Sequence, residues 1–242
     1  MHDWGFHHED RRRRHRRSRH RRIRAHRIGH AGSGVPTGSV DTTPVVTRVD
    51  VDGDLKRDTV RLTRTKVSQD RYTFRITVTT AKGKRAIRDV HVADYVDGTL
   101  TPSDIWGGTA HLDGVRGAEI MVDRGGNVGD FPWPHVYTWR NNRIVPAVAP
   151  RATVGDPAWT VADHFTLVAG YDFSTVRGAR QVVATELKGR FVNSERLVYS
   201  GTRTTYRWAG GTWKPVRTTK TRTLSEDRAR DLAGWTGFTW QQ

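Results

Sequence analysis

The clearest pattern along the chain is strict alternation. In Arg71-Tyr72-Thr73-Phe74-Arg75-Ile76-Thr77-Val78 the apolar positions fall at every second residue. Tyr72, Phe74, Ile76 and Val78 therefore share one face of a predicted strand that runs to Thr80 and turns at Gly83. Further apolar stretches recur about every 10 to 15 residues between turn signals, a spacing found in sandwiches, barrels and propellers. Two aromatic stretches each meet a two-residue turn, Tyr137-Thr138-Trp139-Arg140 before Asn141-Asn142 and Tyr206-Arg207-Trp208-Ala209 before Gly210-Gly211. Asn and Gly tolerate the positive φ of a type I′ hairpin, so both read as hairpins. One helix is predicted, Ser225–Ala233, with Ser225 as N-cap, Glu226 and Asp227 in the first turn and Gly234 as the stop. The aromatics beyond it, Trp235, Phe238 and Trp240, are expected to pack on the last strands. The fold class is all-β.

The strands are organised by a repeat. Val115-Arg116-Gly117-Ala118 recurs as Val176-Arg177-Gly178-Ala179, a shift of 61 residues, and the same shift carries Asp50–Asp58 onto His111–Glu119. A third copy then falls on Asp172–Arg180, and each copy runs into a short apolar stretch. Three gapless copies predict three units of about 61 residues, each large enough for one four-stranded blade.

The first copy holds candidate chemistry. Asp50, Asp52, Asp54 and Asp58 stand at positions 1, 3, 5 and 9 of a short loop, with Gly53 at the bend. A hard cation takes six to eight oxygens in flexible geometry, which alternating carboxylates and one backbone carbonyl, that of Lys56, would supply. The loop is not an EF-hand, since glycine is at position 4 and Arg61 stands at position 12. The competing reading is an Asx-rich turn whose carboxylates bond their own backbone. Asp50-Val51-Asp52-Gly53-Asp54, with Asp58-Thr59-Val60 after it, resembles the calcium loop of FG-GAP and VCBS repeats, the family of integrin α-subunit propellers and many bacterial secreted proteins. Trp106-Gly107 stands where the family has Phe-Gly. The resemblance implies a propeller-blade-like fold, one calcium ion at the first loop and an extracellular or cell-envelope setting. Leu55 replaces the usual second glycine. The second loop keeps only Asp113 and Glu119 and the third only Asp172, so calcium is expected at the first alone.

Charge changes the picture at the N-terminus. The chain has 242 residues with 41 Lys+Arg and 25 Asp+Glu, a net charge of +16. Residues 1–30 hold eleven Arg and seven His against three carboxylates, while residues 31–40, AGSGVPTGSV, are uncharged. Residues 1–40 therefore read as a disordered basic tail and linker, and 41–242 as the repeat domain. Three readings of the tail stay open: nucleic-acid binding through residues 11–30, contact with an anionic membrane, or little role at all, the natural start of the protein lying elsewhere. No segment is apolar enough to span a membrane, and no apolar core follows the basic residues as in a secretory signal.

Catalytic signals are sparse. With no cysteine there is no thiolate metal site, disulfide or cysteine nucleophile. His91, His111, His135 and His164 are scattered, and Asp94, Asp97 and Asp104 around Tyr95 and Trp106 read as a polar loop rather than paired catalytic carboxylates. Trp106 and Trp133 lie in predicted loops, where an indole can stack on a ligand. The expectation is a non-enzymatic binding or adhesion module for a protein or glycan, with a nucleic-acid-associated protein as the alternative.

Overall fold

The computed structural model describes residues 42–68, 71–93, 100–124, 133–151, 157–194 and 196–242. They belong to one compact unit, residues 39–242. The tail and linker read from residues 1–40, together with Asp94, Asp97 and Tyr95, lie outside the described residues.

The domain is built from three antiparallel meanders. Sheet 1 comprises β1 (Val45–Val49), β2 (Asp58–Ser68), β3 (Arg71–Thr79) and β4 (Arg85–Ala93) in that order. Sheet 2 comprises β5 (Trp106–Ala110), β6 (Glu119–Asp123), β7 (Pro134–Arg140) and β8 (Arg143–Pro146), again in order. Sheet 3 has β10 (Leu167–Val176), β11 (Ala179–Phe191), β12 (Leu197–Ala209) and β13 (Thr212–Ser225), with the short β9 (Ala162–His164) also paired to β10. β1, β5 and β10 start at Val45, Trp106 and Leu167, so they recur at the period of 61 read from the sequence. A four-residue helix, α1 (Pro102–Ile105), precedes sheet 2 and has no counterpart among the sequence expectations.

Alternation explains how the sheets stack. Tyr72, Phe74, Ile76 and Val78 of β3 are all buried, and they join Ile120, Val122, Tyr137 and Trp139 of sheet 2 in one apolar cluster. The opposite face of sheet 2, with Val136 and Met121, packs in a second cluster with Tyr171, Phe173, Val182, Ala184 and Tyr206 of sheet 3. Sheet 2 is thus apolar on both faces, and β7 is buried at all but its last position. Both two-residue turns form as expected, with Asn141 and Asn142 at φ 52° and 60° and Gly210 and Gly211 at 61° and 78°. They close Arg140 onto Arg143 and Ala209 onto Thr212.

After β13 the chain forms α2 (Glu226–Arg230), shorter than predicted, with Ser225 in the extended N-cap position but making no side-chain capping hydrogen bond. Ala229 and Leu232 close an apolar cluster with Val168, Leu187 and Tyr199 on the outer side of sheet 3. The last residues then run along the first strands of two sheets. β14 (Gly234–Thr236) pairs in parallel with β10, and Gln241 bridges Thr109 of β5 through two 2.8 Å backbone hydrogen bonds. Trp235, Phe238 and Trp240 pack edge-to-face among themselves, and Trp235 also lies against Trp159, Tyr171 and Phe173.

One expectation fails. The third copy, Asp172–Arg180, is not a loop but lies within the β10–β11 hairpin. Arg177 and Gly178, at φ 50° and 76°, make a two-residue turn between Val176 and Ala179. Where the second copy has Asp113-Gly114, the third has Ser174-Thr175. Without an Asx turn to interrupt them, the strands continue to the hairpin.

Candidate metal centre

The Asp-rich loop lies between β1 and β2 and is organised by its own amides. Asp50 accepts from Gly53 N at 2.7 Å on Oδ1 and from Leu55 N at 2.8 Å on Oδ2. Asp58, almost fully buried, accepts from Val51 N (2.8 Å) and Asp52 N (3.2 Å) on Oδ2 and from Ala81 N (2.8 Å) on Oδ1. Asp52 accepts one amide, Asp54 N at 3.2 Å. These bonds hold Gly53 and Leu55 at φ 79° and 68°. The left-handed conformation at Leu55 stands where the FG-GAP and VCBS pattern has its second glycine.

Of the five residues singled out from the sequence, three converge. One carboxylate oxygen each from Asp50, Asp52 and Asp58 lies within 4.8 Å of the others. Asp54 lies outside that group, with Oδ1 accepting Lys56 N at 2.9 Å and Oδ2 paired with Lys82 Nζ at 3.1 Å. These partners hold its pKa below the usual carboxylate range. The Asp52 pKa is raised, first by desolvation and next by the charge of Asp58. A cation among the three would relieve that repulsion. The carboxylate oxygens are hard donors suited to calcium; Asp50 Oδ1 and Oδ2, Asp52 Oδ1 and Asp58 Oδ1 each accept one amide and keep a second lone pair, whereas Asp58 Oδ2 already accepts two. The residues fit a calcium ion whose role would be structural.

The second loop repeats this geometry and places an arginine at its acids. Leu112 N donates to Glu119 Oε2 at 2.7 Å and Val115 N to Asp113 Oδ1 at 2.7 Å. Shifted by 61, these are the bonds Val51 N to Asp58 and Asp54 N to Asp52. Here Arg140, at the end of β7, reaches in, 2.6 Å from Asp113 and 3.7 Å from Glu119. Thr138 Oγ1 donates to Glu119 Oε1 at 3.1 Å. Glu119 is fully buried; desolvation, then the neighbouring Asp113, pushes its pKa up to about 8. Arg180, the residue 61 beyond Glu119, donates to the Leu112 and His111 carbonyls at 3.0 and 3.1 Å. The first two loops also dock on each other, Ala118 N donating to Asp50 O at 2.8 Å.

The other candidates separate. Trp106 packs against the apolar cluster between sheets 1 and 2, whereas Trp133 is 53% exposed with its amide on Asp123. No ring contact joins them. Asp104 caps α1, accepting Thr101 N at 2.7 Å. The four histidines do not gather: among the described residues, Asp50, Asp52 and Asp58 are the one group of three or more candidate ligand side chains. Arg140 was missed by the sequence reading because it lies outside the loop it serves. Its position directly before the Asn-Asn turn, 27 residues after Asp113, was the available signal.

No family model, curated protein or solved structure matches the chain.

Proposed function

We propose that residues 41–242 are a non-enzymatic binding module made of three FG-GAP/VCBS-like blades, stabilised by one calcium ion held by Asp50, Asp52 and Asp58. The observation that carries this reading is the contrast between the first two loops. Both present the same amide-to-carboxylate frame. In the second, an arginine reaches the acids, whereas among the described residues none of the three first-loop acids forms an ion pair with a basic side chain. A loop built on the same plan without its internal cation favours an external one. Asp113 and Glu119, the acids shifted by burial, are engaged by Arg140, Thr138 and backbone amides, which supports a structural role for them. The C-terminal segment seals the inner edges of β5 and β10, and this supports an array of few blades.

Thermal unfolding of the full chain with calcium and with a chelator tests the proposal. At a calcium concentration about 100 times the Kd, the site would add about 2.7 kcal/mol, a rise of roughly 5–10 °C in Tm. Asp52→Asn is expected to abolish the rise, and an unchanged Tm in the parent would refute the site. For the binding surface, the exposed Trp133 is the candidate anchor. Trp133→Ala is expected to weaken retention on a glycan or protein array without changing Tm.

A further inference from the structure

The β12–β13 hairpin concentrates the positive charge of sheet 3. Residues 197–225 contain Arg203, Arg207, Lys214, Arg217, Lys220 and Arg222 and not one carboxylate. Register places four of these on a single face. Arg207 lies directly opposite Lys214, Thr205 opposite Arg217, and Arg203 opposite Thr219. Tyr206 and Trp213, on the other face, are buried against sheet 2, so the cations point outward. Arg207, Lys214 and Arg217 are exposed, and among the described residues no carboxylate pairs with any of them.

Like charges directly opposite on a sheet are destabilising. On the outer face of sheet 1 the same kind of position holds a bidentate pair, Arg75 opposite Asp89 at 2.8 and 3.0 Å. The uncompensated Arg207–Lys214 pair therefore marks a face that gains by meeting an anion. Thr205 lies between Arg203 and Arg207 on the same strand face, while Thr185 accepts from Arg203 Nε at 3.3 Å and Thr219 donates to the Arg203 carbonyl at 3.2 Å, which orders the cationic strand. No aromatic ring stands among the four cations on this face, since Tyr199 is buried beneath α2 and Phe191 lies at the far end of β11, which disfavours stacking on unpaired bases. Residues two apart on a strand are spaced by about 6.8 Å and adjacent strands by about 4.8 Å. Four cations at that spacing form a positive patch that complements the dense charge of a duplex, one negative charge per about 1.7 Å of axis. Residues 11–30 supply further arginines in the same chain.

We propose that the outer face of sheet 3, through Arg203, Arg207, Lys214 and Arg217, binds the phosphate backbone of double-stranded nucleic acid. This rests on the reading of the domain as a binding module and names its partner. It does not depend on the calcium ion.

Fluorescence anisotropy of a labelled 20-base-pair duplex with the full chain, across a salt series and with calcium or chelator, tests it. Changing all four residues to Gln is expected to reduce the slope of log K against log salt by about 3 to 4. A charge-matched variant of sheet 1, Arg48→Gln, Arg61→Gln, Lys66→Gln and Arg85→Gln, is expected to change it by less than about 1. Single Arg207→Gln and Arg217→Gln variants, each lowering the slope by about 1, serve if the fourfold variant does not fold. Equal losses in the two fourfold variants would overturn the proposal. So would tighter binding of the parent to single strands, heparin or anionic phospholipid vesicles at the same salt. Duplex binding unchanged by chelator, with no calcium effect on Tm, would refute the calcium site and leave this face standing.

Discussion

Residues 58, 119 and 180 occupy one position of the repeat and do three different things. Asp58 gathers three amides around a carboxylate cluster. Glu119 keeps one of those bonds and turns its other oxygen toward Thr138 and Arg140. Arg180 reverses the sign and clamps the preceding loop by its carbonyls. Removing the internal cation with Arg140→Met would leave Asp113 and Glu119 facing each other in a buried site. The expected loss is about 3 kcal/mol in urea unfolding, and a loss near zero would contradict the account. Glu119 also sets a pH dependence. Its folded pKa of about 8 lies above the ordinary 4.5, so between those values the folded state holds a proton the unfolded chain has released. Its stabilising contribution is complete below about pH 4.5 and declines as pH rises to about 8. Unfolding free energies measured across that window should fall with pH in the parent and fall less steeply in Glu119→Gln.

At the scale of elements, what was legible in the sequence depended on whether a signal was local. The β3 face, the Asn-Asn and Gly-Gly hairpins and the helix start after Ser225 were readable because alternation, positive φ and helix-start signals are properties of a few adjacent residues. The shared Val-Arg-Gly-Ala string misled because the same four letters end a loop in one place and make a hairpin turn in another. The deciding difference lay just upstream, in Asp113-Gly114 against Ser174-Thr175. Arg140 and the pairing of β14 with β10 involve partners brought together only by the fold, so spacing did not reveal them. Three of the five candidate ligands converged because the first loop is self-contained, while Asp54 was diverted by Lys82 from the β3–β4 turn. The loop-to-loop docking can be tested at Gly117, which sits at φ 104° with no room for a Cβ against the Val51 carbonyl. Gly117→Ala is expected to cost about 2 kcal/mol or more and to lower Tm. Deleting residues 234–242 would uncover the edges of β5 and β10, and size-exclusion chromatography should then report oligomers where the parent gives a monomer-sized peak.

For the whole domain, sheet 2 is the structural centre because both of its faces are core. Sheets 1 and 3 do not share a cluster with each other, and each is joined to sheet 2 by its own apolar cluster. Unfolding is therefore expected to be cooperative, with coincident loss of tryptophan fluorescence and far-UV circular dichroism. An early transition confined to one probe would contradict that coupling. The charge of the molecule also resolves by location: the tail holds half of the excess, and the β12–β13 hairpin holds a further six positive charges with none to oppose them. Calcium at the first loop and an arginine at the second remain the central claim about how the repeats diverged. Isothermal titration of the full chain with calcium tests it most directly. One ion per chain, lost in Asp52→Asn and retained in the Gln variants of the cationic face, is the predicted result. No binding heat in the parent, or binding undiminished in Asp52→Asn, would contradict it.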